Sequence, residues 1–318
     1  MFTDIHAHVF TMKHVPDKFL GIKLSFSDRF LNWISNTFSW IIPGSKDQLE
    51  NIASFTKHLG QTVEQNFLDL ISYYPENSKV CLLLMDMREI NGKIEENYQI
   101  QINEMIDLKK KYPDKILLFL HLDPNQAEMS KLFEEYVKSN TFDGVKVYPP
   151  LNSKPTDNRF VSIWHECEKS QIPIITHCGA FGVSASNFFN FSKGEYAHPK
   201  YWREVLKAFP ELRLDLAHFG EMDTSWQKEI MSLCETYENV YTDTSFIIGS
   251  ALAVKQLAKC CYSSSILNSK LLYGSDFYML DLLCYRIKDD LNYLRENLGE
   301  NLFYNISEVN PKNFLNSK

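Results

Sequence analysis

Residues 116–148 read ILLFLHLDPNQAEMSKLFEEYVKSNTFDGVKVY and contain one complete strand–helix–strand unit. The apolar runs at 116–122 and 144–148 do not alternate with polar residues, which is the pattern of parallel strands buried on both faces. Between them, apolar residues recur with helical spacing and predict an amphipathic helix over 126–139. Because parallel strands need a crossover between them, this order predicts a βαβ unit.

The same unit recurs along most of the chain, at intervals of about 30 residues, a typical length for a βαβ unit. Eight such units predict an α/β protein, specifically a (β/α)8 TIM barrel, which needs about 250 residues. The predicted strands are 2–7, 80–86, 116–122, 144–148, 173–177, 213–218, 239–244 and 270–275.

The chain has 318 residues, more than a barrel requires, and the excess lies between the first two predicted strands. We interpret residues 10–75 as a helical insertion and the whole chain, 1–318, as a single barrel domain. Residues 26–40 are rich in aromatic side chains. These either cover the barrel mouth or form a homodimer surface, or they are ordinary helical packing.

The charge and the cysteine content restrict the class of protein. Lysine and arginine total 33 and aspartate and glutamate 40, a net charge of −7, which argues against a nucleic-acid partner. No run of 18 apolar residues predicts a membrane span. The seven cysteines, without a CxxC pair, are expected to be free thiols. Since MFTDIHAHVF does not resemble a signal peptide, we expect a cytoplasmic protein that acts on a small molecule.

Metal-ligand residue types recur where predicted strands end. The carboxyl ends of the strands of such a barrel form its active-site mouth. Residues two apart on a strand face the same side, so the HxH pair of the first strand can bind one ion. Imidazole and carboxylate ligands suit a divalent transition ion, most often Zn²⁺. The candidate ligands are His6, His8, His177, His218 and Asp276.

The sequence around these residues resembles the amidohydrolase superfamily. It is closest to the amidohydrolase-related branch that contains aminocarboxymuconate-semialdehyde decarboxylase-like enzymes. The similarity covers nearly the whole chain outside residues 10–75. The matching stretches are DIHAH (4–8), DGVKVYPP (143–150), PIITHCG (173–179), HPKYWREVLKAFPELRLDLAHFG (198–220), LLYGSDF (271–277) and NPKNFL (310–315).

The resemblance implies roles for these residues. In single-metal members, the counterparts of His6, His8, His177 and Asp276 surround the ion, and the counterpart of His218 orients or deprotonates its water. In two-metal members a carboxylated strand-4 lysine bridges the ions, and the strand-5 and strand-6 histidines bind the second one. We expect one ion, or two if Lys146, at the strand-4 position, is carboxylated.

Three interpretations of Lys146 remain open: a carbamate bridge, a free ammonium that pairs with a substrate carboxylate, or a structural lysine held by a carboxylate such as Asp123. Two further residues at strand ends are candidates for substrate binding. His121, on the third predicted strand, can reach a substrate, and Tyr148, at the end of the fourth, can donate to a substrate oxyanion. The alternative is a structural role for His121 and core packing for Tyr148.

These observations favour a metal-dependent hydrolase that uses a metal-activated water on an amide, ester or lactone bond of a small, carboxylate-bearing substrate. Asp276 would move the proton from the water to the leaving group, and His218 would stabilise the oxyanion. One alternative is a metal-dependent non-oxidative decarboxylase of an unsaturated or aromatic acid, because the same constellation of residues serves both chemistries. A non-catalytic metal-binding barrel is a third hypothesis.

Overall fold

A computed structural model describes residues 1–16, 48–88, 90, 97–151, 153–179, 194–221, 223–279 and 287–315. Eight parallel strands form one sheet, with each strand paired to the next in sequence order. The predicted barrel is thereby confirmed. The strands are β1 Thr3–Ala7, β2 Lys79–Leu83, β3 Ile116–His121, β4 Gly144–Val147, β5 Ile174–Thr176, β6 Leu214–Leu216, β7 Val240–Asp243 and β8 Leu271–Leu272.

Helices lie between successive strands, as the periodicity predicts. The predicted helix 126–139 begins at Met129 and ends in a π turn, Phe133–Val137. The helices are α1 Gln48–Gly60, α2 Val63–Ile71, α3 Tyr98–Lys111, α4 Met129–Leu132, α5 Val161–Ser170, α6 Lys200–Ala208, α7 Thr224–Thr236, α8 Ala251–Ser263, α9 Leu267–Lys270, α10 Ile287–Leu298, α11 Glu300–Tyr304 and α12 Asn310–Leu315. In the described part of the chain, none is long and apolar enough to cross a membrane.

The barrel closes between β1 and the segment that follows β8. The backbone N–H of Asp276 donates to the carbonyl of His6 at 2.8 Å, and that of His8 donates to the carbonyl of Phe277 at 2.8 Å. The strand predicted over 270–275 is only two residues long, yet these bonds continue its course beside β1. His6, His8 and Asp276 therefore lie side by side.

Asp4 ties the same two segments together through its side chain. Its carboxylate accepts hydrogen bonds from the Ser275 N–H at 3.0 Å, the Ser275 hydroxyl at 2.6 Å and the Tyr74 hydroxyl at 2.7 Å. It also accepts from the N–H of His6 at 3.0 Å. Burial raises the pKa of Asp4 to about 6, although these hydrogen bonds oppose the shift. Asp4 is a structural residue of the DIHAH motif.

The barrel interior is packed with side chains and is not an open channel. The pairing of β1 with β2 shifts register between Asp4 and Ala7. Such an irregularity re-aims side chains, so Ile5 joins the apolar interior while His6 also turns inward. The apolar interior residues are Ile5, Cys81, Leu83, Phe119, Ile175, Ala217, Tyr241, Leu272 and Phe314.

The connection between β1 and β2 packs against the end of β8. From α1, the ring of Phe55 lies 5.5 Å from that of Tyr278, and the ring of His58 lies 5.0 Å from that of Phe277. This part of the predicted insertion 10–75 therefore supports the segment that carries Asp276. The aromatic residues at 26–40 lie outside the described residues, so their role and the homodimer stay predictions.

Candidate active site

The strand ends bring the five candidate ligands to one place. The donor atoms of His6, His8 and Asp276 lie within 4.8 Å of one another. Nε2 of His8 is 3.5 Å from Oδ1 of Asp276, and Nε2 of His6 is 3.9 Å from the same oxygen. Nδ1 of His177 lies 2.9 Å from Nε2 of His218, whose ring centre is 5.0 Å from that of His6. All five side chains are buried.

Acceptors behind the HxH pair determine where its protons lie. Nδ1 of His8 is 3.0 Å from the carbonyl oxygen of Leu83, and Nδ1 of His6 is 2.8 Å from Oδ2 of Asp243. A carbonyl or carboxylate oxygen only accepts, so each Nδ1 carries the proton and each Nε2 presents a lone pair. Burial lowers the pKa of His8 to about 3 and that of His6 well below its usual value, so both rings are neutral.

This donor set fits a divalent cation. The lone pairs on Nε2 of His6 and His8 both face the Asp276 carboxylate, with no imidazole proton between them. Neutral imidazoles and a carboxylate are the ligands that zinc and related divalent ions take. Asp276 is held in place because its own N–H bonds to the first strand. The residues therefore suit the predicted metal, and the assignment of each ligand stays a prediction.

Hydrogen-bond partners also determine where the protons lie in the His177–His218 pair. Nδ1 of His218 lies 3.2 Å from the carbonyl oxygen of Ser245 and 2.8 Å from its hydroxyl oxygen. A proton on Nδ1 leaves Nε2 of His218 to accept from Nδ1 of His177. The lone pair of His177 is then on Nε2. In this arrangement His218 orients His177, whereas the resemblance implies that it orients a water molecule.

Lys146 on β4 reaches the same cluster. Its Nζ lies 3.2 Å from Nε2 of His6, and the side chain is 1 % exposed. Burial lowers the pKa of Lys146 to about 8, while the charges of Asp276, Asp243 and Asp215 oppose that shift. Asp123, the carboxylate proposed from the sequence as its partner, accepts a hydrogen bond from the N–H of Asn125 at 2.9 Å, and its pairing with Lys146 stays a prediction.

The two predicted substrate-binding residues lie beside the cluster. Nδ1 of His121 accepts from the N–H of Asp86 at 2.8 Å, so its proton is on Nε2. Burial lowers the pKa of His121 to about 4. The ring of Tyr148 packs 4.7 Å from that of His177. Their contact with a substrate stays a prediction.

Two polar residues at the end of β7 have a larger part than the sequence indicated. The sequence-based prediction assigns no role to Asp243 or Ser245. Both are fully buried, and both contact His6 and His218. Their spacing of two, which puts both side chains on one face of an extended chain, is the signal that could have identified them.

At Gly274, the segment that follows β8 passes close to these residues. A Cβ at this position would lie 2.9 Å from the Cβ of His6 and 3.1 Å from the Cβ of Ser245. Only glycine lets the backbone approach this closely, since a side chain would push β1 and the end of β7 apart.

The amidohydrolase family model matches residues 93–313, more than two thirds of the chain. The chain belongs to this amidohydrolase family. The resemblance read from the sequence is thereby confirmed. Among curated proteins, no sequence matches this amidohydrolase.

Solved structures similar to this amidohydrolase share its barrel at low sequence identity. A 5-carboxyvanillate decarboxylase from Novosphingobium aromaticivorans, complexed with manganese, has a TM-score of 0.66 and 12% identity, covering 99% of this chain and 96% of that one. A probable 2-pyrone-4,6-dicarboxylic acid hydrolase from Acinetobacter baumannii has a TM-score of 0.62 and 14% identity, and the match covers 99% of both chains. A 2,6-dihydroxybenzoate decarboxylase from Rhizobium has a TM-score of 0.60 and 15% identity, and the match covers 99% of this chain and 98% of that one.

This amidohydrolase is therefore an enzyme of the metal-dependent type, and the non-catalytic alternative is not retained. The similar structures include decarboxylases and a hydrolase, so they do not decide between hydrolysis and decarboxylation. A divalent metal fits the family and the donor set. The choice of Zn²⁺ stays a prediction, since the similar decarboxylase structure contains manganese.

Proposed function

We propose that the chain is a metal-dependent hydrolase that cleaves an amide, ester or lactone bond in a small substrate bearing a carboxylate. The observation that carries the proposal is the group formed by His6, His8 and Asp276, with the His177–His218 pair beside it. Two unprotonated Nε2 atoms and one carboxylate converge at the barrel mouth, where enzymes of this fold carry out their chemistry.

His6, His8, His177 and Asp276 would hold one divalent cation. When bound, the cation supplies a Lewis acid that polarises a carbonyl and lowers the pKa of water. The protein contributes fixed ligand directions, because Leu83, Asp243 and His218 bond to the far nitrogens of the three imidazoles. Such outer partners set the orientation and basicity of ligands.

Asp276 is the residue that we propose moves the proton. Hydrolysis needs a group that accepts a proton from water and returns it to the leaving nitrogen or oxygen. Burial raises the pKa of Asp276 to about 7, although the positive charge of Lys146 opposes the shift. With Oδ1 facing the two histidines, Oδ2 is the atom that exchanges the proton.

Lys146 would bind the substrate carboxylate. Its buried ammonium lies beside the donor cluster, and a carboxylate placed there gains a charge-assisted hydrogen bond in a site of low dielectric constant. The negative charge of the whole protein does not prevent this, since one local cation is enough for a small anion. Tyr148 and the Nε2–H of His121 are the neighbouring donors for other substrate oxygens.

Decarboxylation of an unsaturated or aromatic acid is the second candidate. Two observations favour it: Lys146 can hold a carboxylate next to the donor cluster, and the similar structures include 5-carboxyvanillate and 2,6-dihydroxybenzoate decarboxylases. In that reaction the substrate carbon receives a proton in place of the departing carboxyl group. The same groups at the barrel mouth would supply that proton.

A product assay separates the two reactions. The protein, loaded with Zn²⁺ or Mn²⁺, is incubated with panels of carboxylate-bearing lactones, esters and amides and with aromatic acids, and hydrolysis products and headspace CO2 are measured. We expect hydrolysis products that Asp276→Asn abolishes and that His165→Gln, an exposed control on α5, does not change. Release of CO2 without hydrolysis would establish the decarboxylase, and no turnover by the metal-loaded protein would contradict both.

A further inference from the structure

We propose that Asp243 is a positioning residue that keeps the proton of His6 on Nδ1 and so preserves Nε2 as a ligand atom. Asp243 ends β7, is fully buried and lies behind His6, on the side away from Asp276. The inference rests on the proposed function only where it concerns metal affinity. The proton position is a property of the metal-free protein.

The hydrogen bonds from His6, His218 and Ser245 all use Asp243 as an acceptor. Oδ1 accepts from the N–H of His218 at 2.8 Å, from the N–H of Ser245 at 3.0 Å and from the Ser245 hydroxyl. Oδ2 accepts from Nδ1 of His6 at 2.8 Å. A carboxylate suits this arrangement because it has two acceptor oxygens and no proton of its own.

Ser245 reinforces the same proton position. Its hydroxyl proton is directed to Oδ1 of Asp243, so its oxygen presents lone pairs to the imidazoles around it. Those imidazole atoms are Nδ1 of His6 at 3.1 Å and Nδ1 of His218 at 2.8 Å. Both nitrogens therefore face acceptors only, which is consistent with a proton on each Nδ1.

An asparagine at position 243 would reverse the arrangement at His6. Three donors converge where Oδ1 now lies, so the amide oxygen would occupy that place and the amide NH2 would face His6. The NH2 group only donates, so Nδ1 of His6 would have to accept, and its proton would move to Nε2 once the Lys146 donor that faces Nε2 is also removed. Nε2 could then no longer bind a cation. The bonds to the backbone N–H groups of His218 and Ser245 would survive, so the local fold is preserved.

A second metal site does not account for these contacts. His6, His218 and Asp243 also have donor atoms within 4.8 Å of one another. The hydrogen bond from His6 to Asp243 and the shared contact with Ser245 explain that proximity. We therefore assign the three residues to a hydrogen-bonded support for the cluster at the mouth.

Nitrogen-15 NMR of the metal-free protein, with labelled imidazoles, reads the proton position directly. The His6 signals are assigned by their loss in His6→Gln. We expect the proton on Nδ1 in the unaltered protein and on Nε2 in Asp243→Asn combined with Lys146→Met, since Lys146 otherwise donates to Nε2. Lys146→Met alone should keep the proton on Nδ1. Asp215→Asn is the matched control, because it makes the same exchange in a buried acid that contacts Asp243 from β6, and it should leave the proton on Nδ1.

Several outcomes would overturn the proposal. One is a proton on Nε2 of His6 in the unaltered protein, which needs no variant to detect. Another is an unchanged proton position in the folded double variant Asp243→Asn, Lys146→Met. Ser245→Ala keeps Asp243 and should keep the proton on Nδ1, so a reversal there would assign the role to Ser245. It also provides a variant if Asp243→Asn does not fold.

Metal affinity gives a second readout. Loss of the outer partner of a ligating histidine typically weakens metal binding 10- to 100-fold. We expect a loss of about this size in Asp243→Asn, measured with Zn²⁺ in competition with a chromophoric chelator, and no comparable loss in Asp215→Asn. If the unaltered protein binds no metal, the proposed function fails, while the NMR result still decides the role of Asp243.

Discussion

Nζ of Lys146 lies 3.2 Å from Nε2 of His6, which is the imidazole nitrogen that faces the proposed metal site. In the metal-free protein a hydrogen bond from the ammonium group satisfies the His6 lone pair. A metal ion must displace this bond, and it also meets the positive charge of the lysine.

Lys146→Met therefore separates the interpretations of this lysine. If Lys146 is an ammonium group, its removal should strengthen Zn²⁺ binding, because the competing bond and the charge repulsion are both lost, while KM for a carboxylate substrate rises. Metal content and chelator competition measure the first effect, and steady-state kinetics the second. A weaker affinity, together with a fall from two bound ions to one, would establish the carbamate bridge.

His218→Asn tests whether the strand-6 histidine binds an ion or orients its neighbour. Because Nε2 of His218 accepts from Nδ1 of His177, we expect one equivalent of metal to remain, bound 10- to 100-fold more weakly. Elemental analysis after dialysis at defined free Zn²⁺ measures both the stoichiometry and the affinity. A change from two equivalents to one would contradict this single-metal arrangement.

Ser275→Ala should weaken the closure of the barrel. The Ser275 hydroxyl donates to Oδ2 of Asp4 at 2.6 Å and accepts from the N–H of Phe277 at 3.0 Å. Loss of a buried hydrogen bond to a charged group lowers the free energy of unfolding by about 1.5–3 kcal/mol. Denaturant titration of the protein should show this loss. Ser269→Ala, at an exposed position, should stay within about 0.5 kcal/mol of the unaltered protein.

Asp215→Asn should change the pH dependence of stability. Burial, and then the charge of Asp243, raise the pKa of Asp215 well above its ordinary value. Above about pH 4 the unfolded chain releases a proton that the folded protein retains, so the free energy of unfolding falls with rising pH, by up to about 1.4 kcal/mol per unit. The asparagine variant has no such proton to retain. Its free energy of unfolding should therefore rise, relative to that of the unaltered protein, between pH 4.5 and 7.

Urea titrations at several pH values measure that difference. Asp114→Asn, an exposed substitution, controls for the loss of one charge. A difference between Asp215→Asn and the unaltered protein that stays constant with pH would mean that Asp215 is ionised in the folded state.

Metal binding should stabilise the folded protein. A cation present at 100 times its Kd adds about 2.7 kcal/mol to the free energy of unfolding when only the folded state binds it. Thermal unfolding of chelator-treated protein with Zn²⁺, Mn²⁺ or neither should show the gain and identify the preferred ion. His8→Gln should abolish the gain, and an equal gain in that variant would place the metal elsewhere.

The strands and their ends could be predicted because parallel strands buried on both faces are apolar along their length. The HxH pair and Asp276 stand out since they interrupt such runs with metal-ligand side chains. The length of β8 could not be predicted in this way. Its last residues read like a strand, but they bond to β1 only through a few backbone groups.

The proton positions lay beyond sequence reasoning for a different reason. They depend on acceptors that other strands provide, such as the Leu83 carbonyl behind His8 and the Asp243 carboxylate behind His6. No local pattern joins residues so far apart in the chain. The contact between Lys146 and His6 has the same origin, which is why the sequence left three interpretations of that lysine open.

The meeting of β1 with the end of β8 also determines when the site can form during synthesis. Asp4 and Ser275 are 271 residues apart, and Asp276 follows directly. At about 5–20 residues per second, the HxH pair emerges from the ribosome on the order of tens of seconds before its carboxylate partner exists. A nascent chain therefore cannot hold the ion in the finished geometry, and we expect metal to be acquired after translation is nearly complete.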